Sequence, residues 1–158
     1  MRMPQVNGRY IPNVKAPRTA DNEEPAAERA QDFRPVDKGF TIEMAIAEAN
    51  RCLDCKNPLC VQGCPVNINI PRFIEAIRAE EFGRGLDIIR ESSMLPAVCG
   101  RVCPQENQCE GVCIMGKRSE PVAIGQLERF LGDQPDLASK PAIAPKNGKK
   151  VAVVGSGP

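Results

Sequence analysis

Eight cysteines fall between Cys52 and Cys113, in a chain of 158 residues that has no histidine. The first four read Cys52-Leu-Asp-Cys55-Lys-Asn-Pro-Leu-Cys60-Val-Gln-Gly-Cys64-Pro65, and the last four are Cys99, Cys103, Cys109 and Cys113, with Pro104 directly after Cys103. The spacings are C-x2-C-x4-C-x3-C-P and C-x3-C-P-x4-C-x3-C. Thiols this close in sequence converge on a shared centre, and a bound metal keeps them deprotonated. The start of the chain, Met1 to Pro12, lacks the apolar stretch of a secretory signal, and no run of 18 apolar residues is present. The chain therefore reads as cytoplasmic and not membrane-spanning. Thiols stay reduced in that compartment, so eight of them point to metal, cluster or redox use rather than to disulfides.

Composition supports the same reading. Aromatic residues make up 4% of the chain, with no Trp and one Tyr. A core so poor in large side chains needs help, and bound metal is a common source of it. The 21 basic and 20 acidic residues leave a net charge of +1, which gives no support for binding nucleic acid or acidic lipid.

Residues 1–40, interrupted by Pro4, Pro12, Pro17, Pro25 and Pro35, read as an extended or disordered arm, or as an arm that wraps a partner domain. Residues 41–132 read as a helical domain. Thr41 caps a first helix with Ile42, Ala45, Ile46 and Ala49 on one face, and Pro71 opens a second with Phe73, Ile74 and Ile77. A break at Gly83 and Gly85 precedes a third helix carrying Leu86, Ile88 and Ile89. A fourth follows Pro121, with Ile124, Leu127, Phe130 and Leu131. With no period-two alternation before residue 149, the class is all-α. Residues 133–149 form a Pro- and Lys-rich linker. Residues 150–158 hold Val151-Ala-Val-Val154 and then Gly155-Ser-Gly157-Pro158, which is how the first strand and Gly-x-Gly turn of a dinucleotide-binding fold begin.

The bacterial ferredoxin run is C-x2-C-x2-C-x3-C-P, and its fourth cysteine ligates the other cluster. By that rhythm Cys52, Cys55 and Cys60 hold one iron–sulfur cluster while Cys64 crosses to a second. Each cluster then draws on the later cysteines. The same eight thiols also pair at structural-zinc spacings, as 52/55, 60/64, 99/103 and 109/113. Spacing leaves zinc, and a bare set of redox-sensing thiols, open beside the clusters. The prolines after Cys64 and Cys103 and the long helical segment between the two groups favour clusters.

The stretch from Arg51 to Leu131 resembles the N-terminal iron–sulfur domain of the glutamate synthase small subunit family. It is also similar to the flavoprotein subunit of NADH-dependent ferredoxin:NADP oxidoreductase and to the start of dihydropyrimidine dehydrogenase. The resemblance rests on Cys52-Leu-Asp-Cys55-Lys-Asn-Pro58, Cys64-Pro65, Leu95-Pro96-Ala-Val-Cys99-Gly-Arg-Val-Cys103-Pro104-Gln105, Cys109-Glu-Gly-Val-Cys113 and Ile124-Gly125-Gln-Leu-Glu128-Arg129-Phe130. It implies an alpha-helical ferredoxin-like domain with two [4Fe-4S] clusters. One would be held by Cys52, Cys55, Cys60 and Cys113. The other would be held by Cys64, Cys103, Cys109 and Glu128, where dihydropyrimidine dehydrogenase has Gln, and Cys99 is left over.

The resemblance also implies that Gly155 and Gly157 open an FAD-binding domain, followed by an NADPH-binding one in the full-length protein. It implies a partner such as a large glutamate synthase-like or ferredoxin-linked subunit. The domain would then relay electrons between FAD and that partner, and would not be a complete enzyme alone. The competing expectation is a module that metal merely stabilises. Gly63, Gly100 and Gly111 are read either as N–H donors to cluster sulfur or as tight turns. Arg101 is read as an offset to cluster charge or as a cover, and Lys56, Lys117 and Arg118 as solvated surface.

Overall fold

A computed structural model describes residues 5–6, 9–134, 143 and 145–155. Its described elements are a two-residue antiparallel pair, β1 (Gln5–Val6) with β2 (Arg9–Tyr10), and seven helices: α1 (Ala26–Arg29), α2 (Ile42–Ala49), α3 (Leu59–Gln62), α4 (Ile70–Arg78), α5 (Phe82–Arg90), α6 (Pro96–Val102) and α7 (Ile124–Gly132). The fold is all-α. Among the described residues no helix is long and apolar enough to cross a membrane.

The longer helices start and stop for local reasons. The Thr41 hydroxyl accepts from the Met44 N–H at 3.3 Å and so caps α2. Ala45, Ile46 and Ala49 are buried, whereas Ile42, expected on the same face, stands largely in water. Pro71 sits in the first turn of α4, whose Ile70, Phe73, Ile74 and Ile77 face the core. The expected break at Gly83 and Gly85 is not found, because both glycines lie inside α5. The chain reverses earlier, at Glu80, whose φ of 59° is left-handed. Gly85 serves packing instead: a Cβ there would come within 2.9 Å of Leu131 Cδ1 on α7.

Helices α4, α5 and α7 enclose the apolar core, in which Phe73, Ile74, Ile77, Leu86, Ile89, Leu127 and Leu131 are fully buried. The rings of Phe82 and Phe130 meet edge to face at 5.3 Å. Helices α6 and α7 approach backbone to backbone. A Cβ on Gly100 would lie 2.7 Å from the Arg129 nitrogen, and one on Gly132 would lie 2.3 Å from the Ala97 nitrogen.

The segment from Tyr10 to Phe40 holds the short helix α1 and is tied to the helical domain near both of its ends. The Asn13 N–H donates to the Asn50 carbonyl at 2.7 Å, and Arg18 pairs with Glu110 at 2.7 Å. Further along, Asp37 pairs with Arg129 on α7 at 2.5 Å. The main anchor is the fully buried pair Glu48–Arg51, at 2.6 Å. Glu48 accepts from the backbone N–H groups of Thr19 and Ala123, each at 2.8 Å. Arg51 donates to the carbonyls of Ala16, Glu120 and Pro121. One ion pair thereby ties the arm, α2 and the loop before α7 together, and its remaining polar atoms are satisfied, as a buried pair requires.

At the other end, Val151, Val153 and Val154 are 87, 88 and 97% exposed and have no strand partner among the described residues. Gly155 is left-handed at φ 102°, and Gly157 lies outside the described residues.

Candidate iron–sulfur site

The first site forms where α2 ends. The chain leaves α2 through Cys52, passes Asp54 at a left-handed φ of 51°, and enters the single turn of α3 after Pro58. Cys52, Cys55 and Cys60 all face one cavity. Cys113, at the start of the short 3-10 turn Ile114–Lys117, faces the same cavity from across the molecule. The other walls are mainly apolar and include Pro58, Ile70, Ile74 and Ile124. Among the described residues, no three Cys, Asp or Glu side chains converge closely enough to hold a single metal ion.

Burial governs the protonation of Cys52, Cys55 and Cys60. It pushes Cys52 up to about 11 and Cys60 up to about 12, and nearby thiols that would carry negative charge add to the rise at Cys60. Cys55 is raised by burial and then by Cys113. At neutral pH, without a cation, these groups stay neutral thiols. They become ligands when a metal displaces their protons.

The second group gathers around α7. Burial raises Cys109 to about 12, with further contributions from Glu110, Cys64 and Glu128. Cys103 is raised by burial first and then by Cys99, Glu128 and Cys64. Cys64 and Glu128, far apart in sequence, thus each sit within electrostatic reach of both Cys103 and Cys109. Glu128 is 8% exposed, and its Oε1 has no hydrogen-bond partner. Burial alone lifts its carboxyl to about 7. An orphaned, buried carboxylate among thiols lacks a partner with cationic or donor character. A group bound by these thiols would supply one. Cys99 stands beside Cys103, with its Sγ 3.7 Å from Ser93 Oγ.

Other expectations resolve differently. Arg101 does not face the thiols: it reaches both carboxylate oxygens of Asp133 and the Ala97 carbonyl at the surface. The Gly63 and Gly111 N–H groups already donate to the Leu59 and Gln105 carbonyls, so the reading as sulfur donors gives way to close approach. A Cβ on Gly111 would lie 2.2 Å from the Glu106 oxygen. Lys56, Lys117 and Arg118 are exposed, as expected. Sequence reasoning missed the buried charges Glu48, Arg51 and Arg78. A helix position gives no sign of burial for a charged residue until its neighbours are known.

Residues 29–139 match the family profile described as dihydropyrimidine dehydrogenase domain II, 4Fe-4S cluster. The chain belongs to this family. Family membership makes it a 4Fe-4S domain of the glutamate synthase small-chain and dihydropyrimidine dehydrogenase type. It is 35% identical over 133 residues to the glutamate synthase [NADPH] small chain of Escherichia coli K12, an alignment covering 82% of this chain and 28% of that protein. It is 33% identical over 157 residues to the corresponding small chain of Azospirillum brasilense, covering 97% of this chain and 33% of that protein. It is 39% identical over 121 residues to the NAD-dependent dihydropyrimidine dehydrogenase subunit PreT of Escherichia coli K12, covering 75% and 29%. The chain thus spans about a third of the length of these relatives.

Proposed function

We propose that this domain relays electrons between FAD, bound by the rest of an NAD(P)H-dependent flavoprotein, and a partner subunit through two [4Fe-4S] clusters. The partner would be a large glutamate synthase-like or ferredoxin-linked subunit. The observation that carries the reading is the convergence of Cys52, Cys55, Cys60 and distant Cys113 on one cavity. Cys64, Cys103, Cys109 and Glu128 would hold the second cluster, and the unpartnered Glu128 Oε1 supports that set. When bound, the clusters supply one-electron acceptance and release.

The chain's own residues bind, shield and orient. Thiolates of the first set anchor to α2, α3 and the Ile114–Lys117 turn, so the cluster would join segments about fifty residues apart in sequence. Pro58, Ile70, Ile74 and Ile124 keep water from the sulfurs. That exclusion, with ligand type and local charge, sets the potential. The hard oxygen of Glu128 would give the second site a different donor set from the first. Residues 133–149 would act as a linker. Residues 150–158, with Gly155 and Gly157, would begin the FAD-binding domain of the full-length protein.

Anaerobic reconstitution tests the reading. About eight iron atoms per chain are expected, with visible absorption that bleaches with dithionite and recovers in air-free oxidant. Cys113→Ser should remove about half of the iron, and Cys99→Ser should leave it unchanged. Stoichiometric zinc with no iron uptake refutes the proposal. Iron without reversible bleaching refutes the relay and leaves a metal-stabilised module.

A further inference from the structure

The last residue of α4 is Arg78, a full positive charge at 2% exposure. Its Nε and Nη1 have no hydrogen-bond partner among the described residues. Its Nη2 faces Asp54 at 3.8 Å, beyond hydrogen-bond distance, and that carboxylate is half exposed. The guanidinium sits over the ring of Tyr10, with Cζ 3.9 Å from the centroid. The Tyr10 hydroxyl is in turn within 2.8 and 2.9 Å of the Asn50 and Cys52 carbonyls. Tyr10 stays neutral, because burial pushes it up to about 12, so it cannot balance the charge. A guanidinium this deep, with donors unpaired, is strongly disfavoured unless an anion completes it.

The location of that anion follows from the neighbours. Tyr10 and Arg78 pack against the loop that starts at Cys52, and Cys52 lines the four-thiol cavity. Asp54, which Arg78 faces at 3.8 Å, lies in that loop between Cys52 and Cys55, both of which line the cavity. A four-iron cluster held by four thiolates is an anion, and its net charge is one determinant of its potential. Accepting one electron adds a negative charge without making or breaking a bond. A fixed positive charge nearby therefore stabilises the reduced form more than the oxidised one.

Resting on the two-cluster reading above, we infer that Arg78 is the counter-charge of the cluster held by Cys52, Cys55, Cys60 and Cys113, and that it raises that cluster's reduction potential relative to a neutral side chain. Arg78 is a positioning and tuning residue, since nothing places it in contact with iron.

The test is a redox titration of the cluster-loaded protein, followed by visible absorption and electron paramagnetic resonance, for wild type, Arg78→Met and Arg78→Lys. In Arg78→Met one cluster should become at least tenfold harder to reduce, about 59 mV lower for one electron, while the other is unmoved. Arg78→Lys, which keeps the charge, should recover more than half of that shift. In a Cys113→Ser background, where only the second cluster remains, Arg78→Met should move nothing. Chelator-treated, cluster-free Arg78→Met should melt at a higher temperature than cluster-free wild type, because an uncompensated buried charge has gone.

A reduction equilibrium within twofold of wild type for both clusters in iron-replete Arg78→Met overturns the inference. So does a shift shared equally by both clusters, or one that survives in the Cys113→Ser background. If Arg78→Met takes up no iron, Arg78→Lys decides: full iron at the wild-type potential supports a charge role, and loss of iron there too makes Arg78 a packing element and overturns it. A wild type with no iron and no reversible bleaching fails at the two-cluster reading itself, and is told apart from these results by the iron content alone.

Discussion

Glu128 lets the energetics of the second site be tested before any metal is added. Its carboxyl is 8% exposed and is lifted from its ordinary 4.5 to about 7 by burial. The folded chain therefore binds this proton more tightly than the unfolded chain does. The sign follows from linkage: between pH 4.5 and 7 the native state holds more protons, so stability is lost as pH rises through that window. Below pH 4.5 the group is protonated in both states and adds no pH dependence. Above pH 7 the penalty for burying the anion is complete. At about 1.4 kcal/mol per pH unit, it amounts to about 3 kcal/mol.

Glu128→Gln keeps the shape and removes the ionisation. Urea unfolding of the cluster-free chain, under reductant and chelator, should give variant and wild type similar stabilities at pH 4.5. The variant should gain steadily to about 3 kcal/mol by pH 8. On iron loading the pH dependence of the difference should disappear, because iron takes the place of the proton. A stability difference that is flat with pH, or that falls as pH rises, refutes the reasoning.

Three further substitutions test the frame. Gly100→Ala places a Cβ 2.7 Å from the Arg129 backbone nitrogen, where α6 and α7 touch. It should destabilise by about 1–3 kcal/mol and lower the melting temperature by about 4–8 °C per kcal/mol. Gly116→Ala, whose Cβ would meet nothing nearer than 3.7 Å, should stay within about 0.5 kcal/mol of wild type. Glu48→Gln leaves the Arg51 guanidinium buried without its carboxylate, at a loss of about 3–5 kcal/mol in urea unfolding. Trypsin should then cut faster at Lys15 and Arg18, because Glu48 accepts from the Thr19 N–H and so helps anchor the arm. An unchanged cleavage rate refutes that anchoring role.

Helical periodicity alone located α2, α4 and α7, because Thr41, Pro71 and the apolar stripes act within a turn or two of themselves. The same local logic failed at Gly83 and Gly85. Their lack of a side chain was read as a break, whereas Gly85 makes room for Leu131 from a helix some forty residues away. Around Cys99 local pattern gives no sign of α6, which is held by its close crossing with α7. The ties of the arm to Glu48, Asn50 and Glu110 depend on partners that composition cannot name.

What the sequence determined was the chemistry available: eight thiols, no imidazole, and spacings that keep neighbouring sulfurs together. Tertiary structure decided which distant groups join them. It carried Cys113 to the cavity of Cys52, Cys55 and Cys60, brought Glu128 within electrostatic reach of Cys103 and Cys109, and buried Arg78 beside the first site. The reason is one of range. Thiol spacing acts over a few bonds, whereas the burial that raises a carboxyl or strands a guanidinium is a property of everything packed around it.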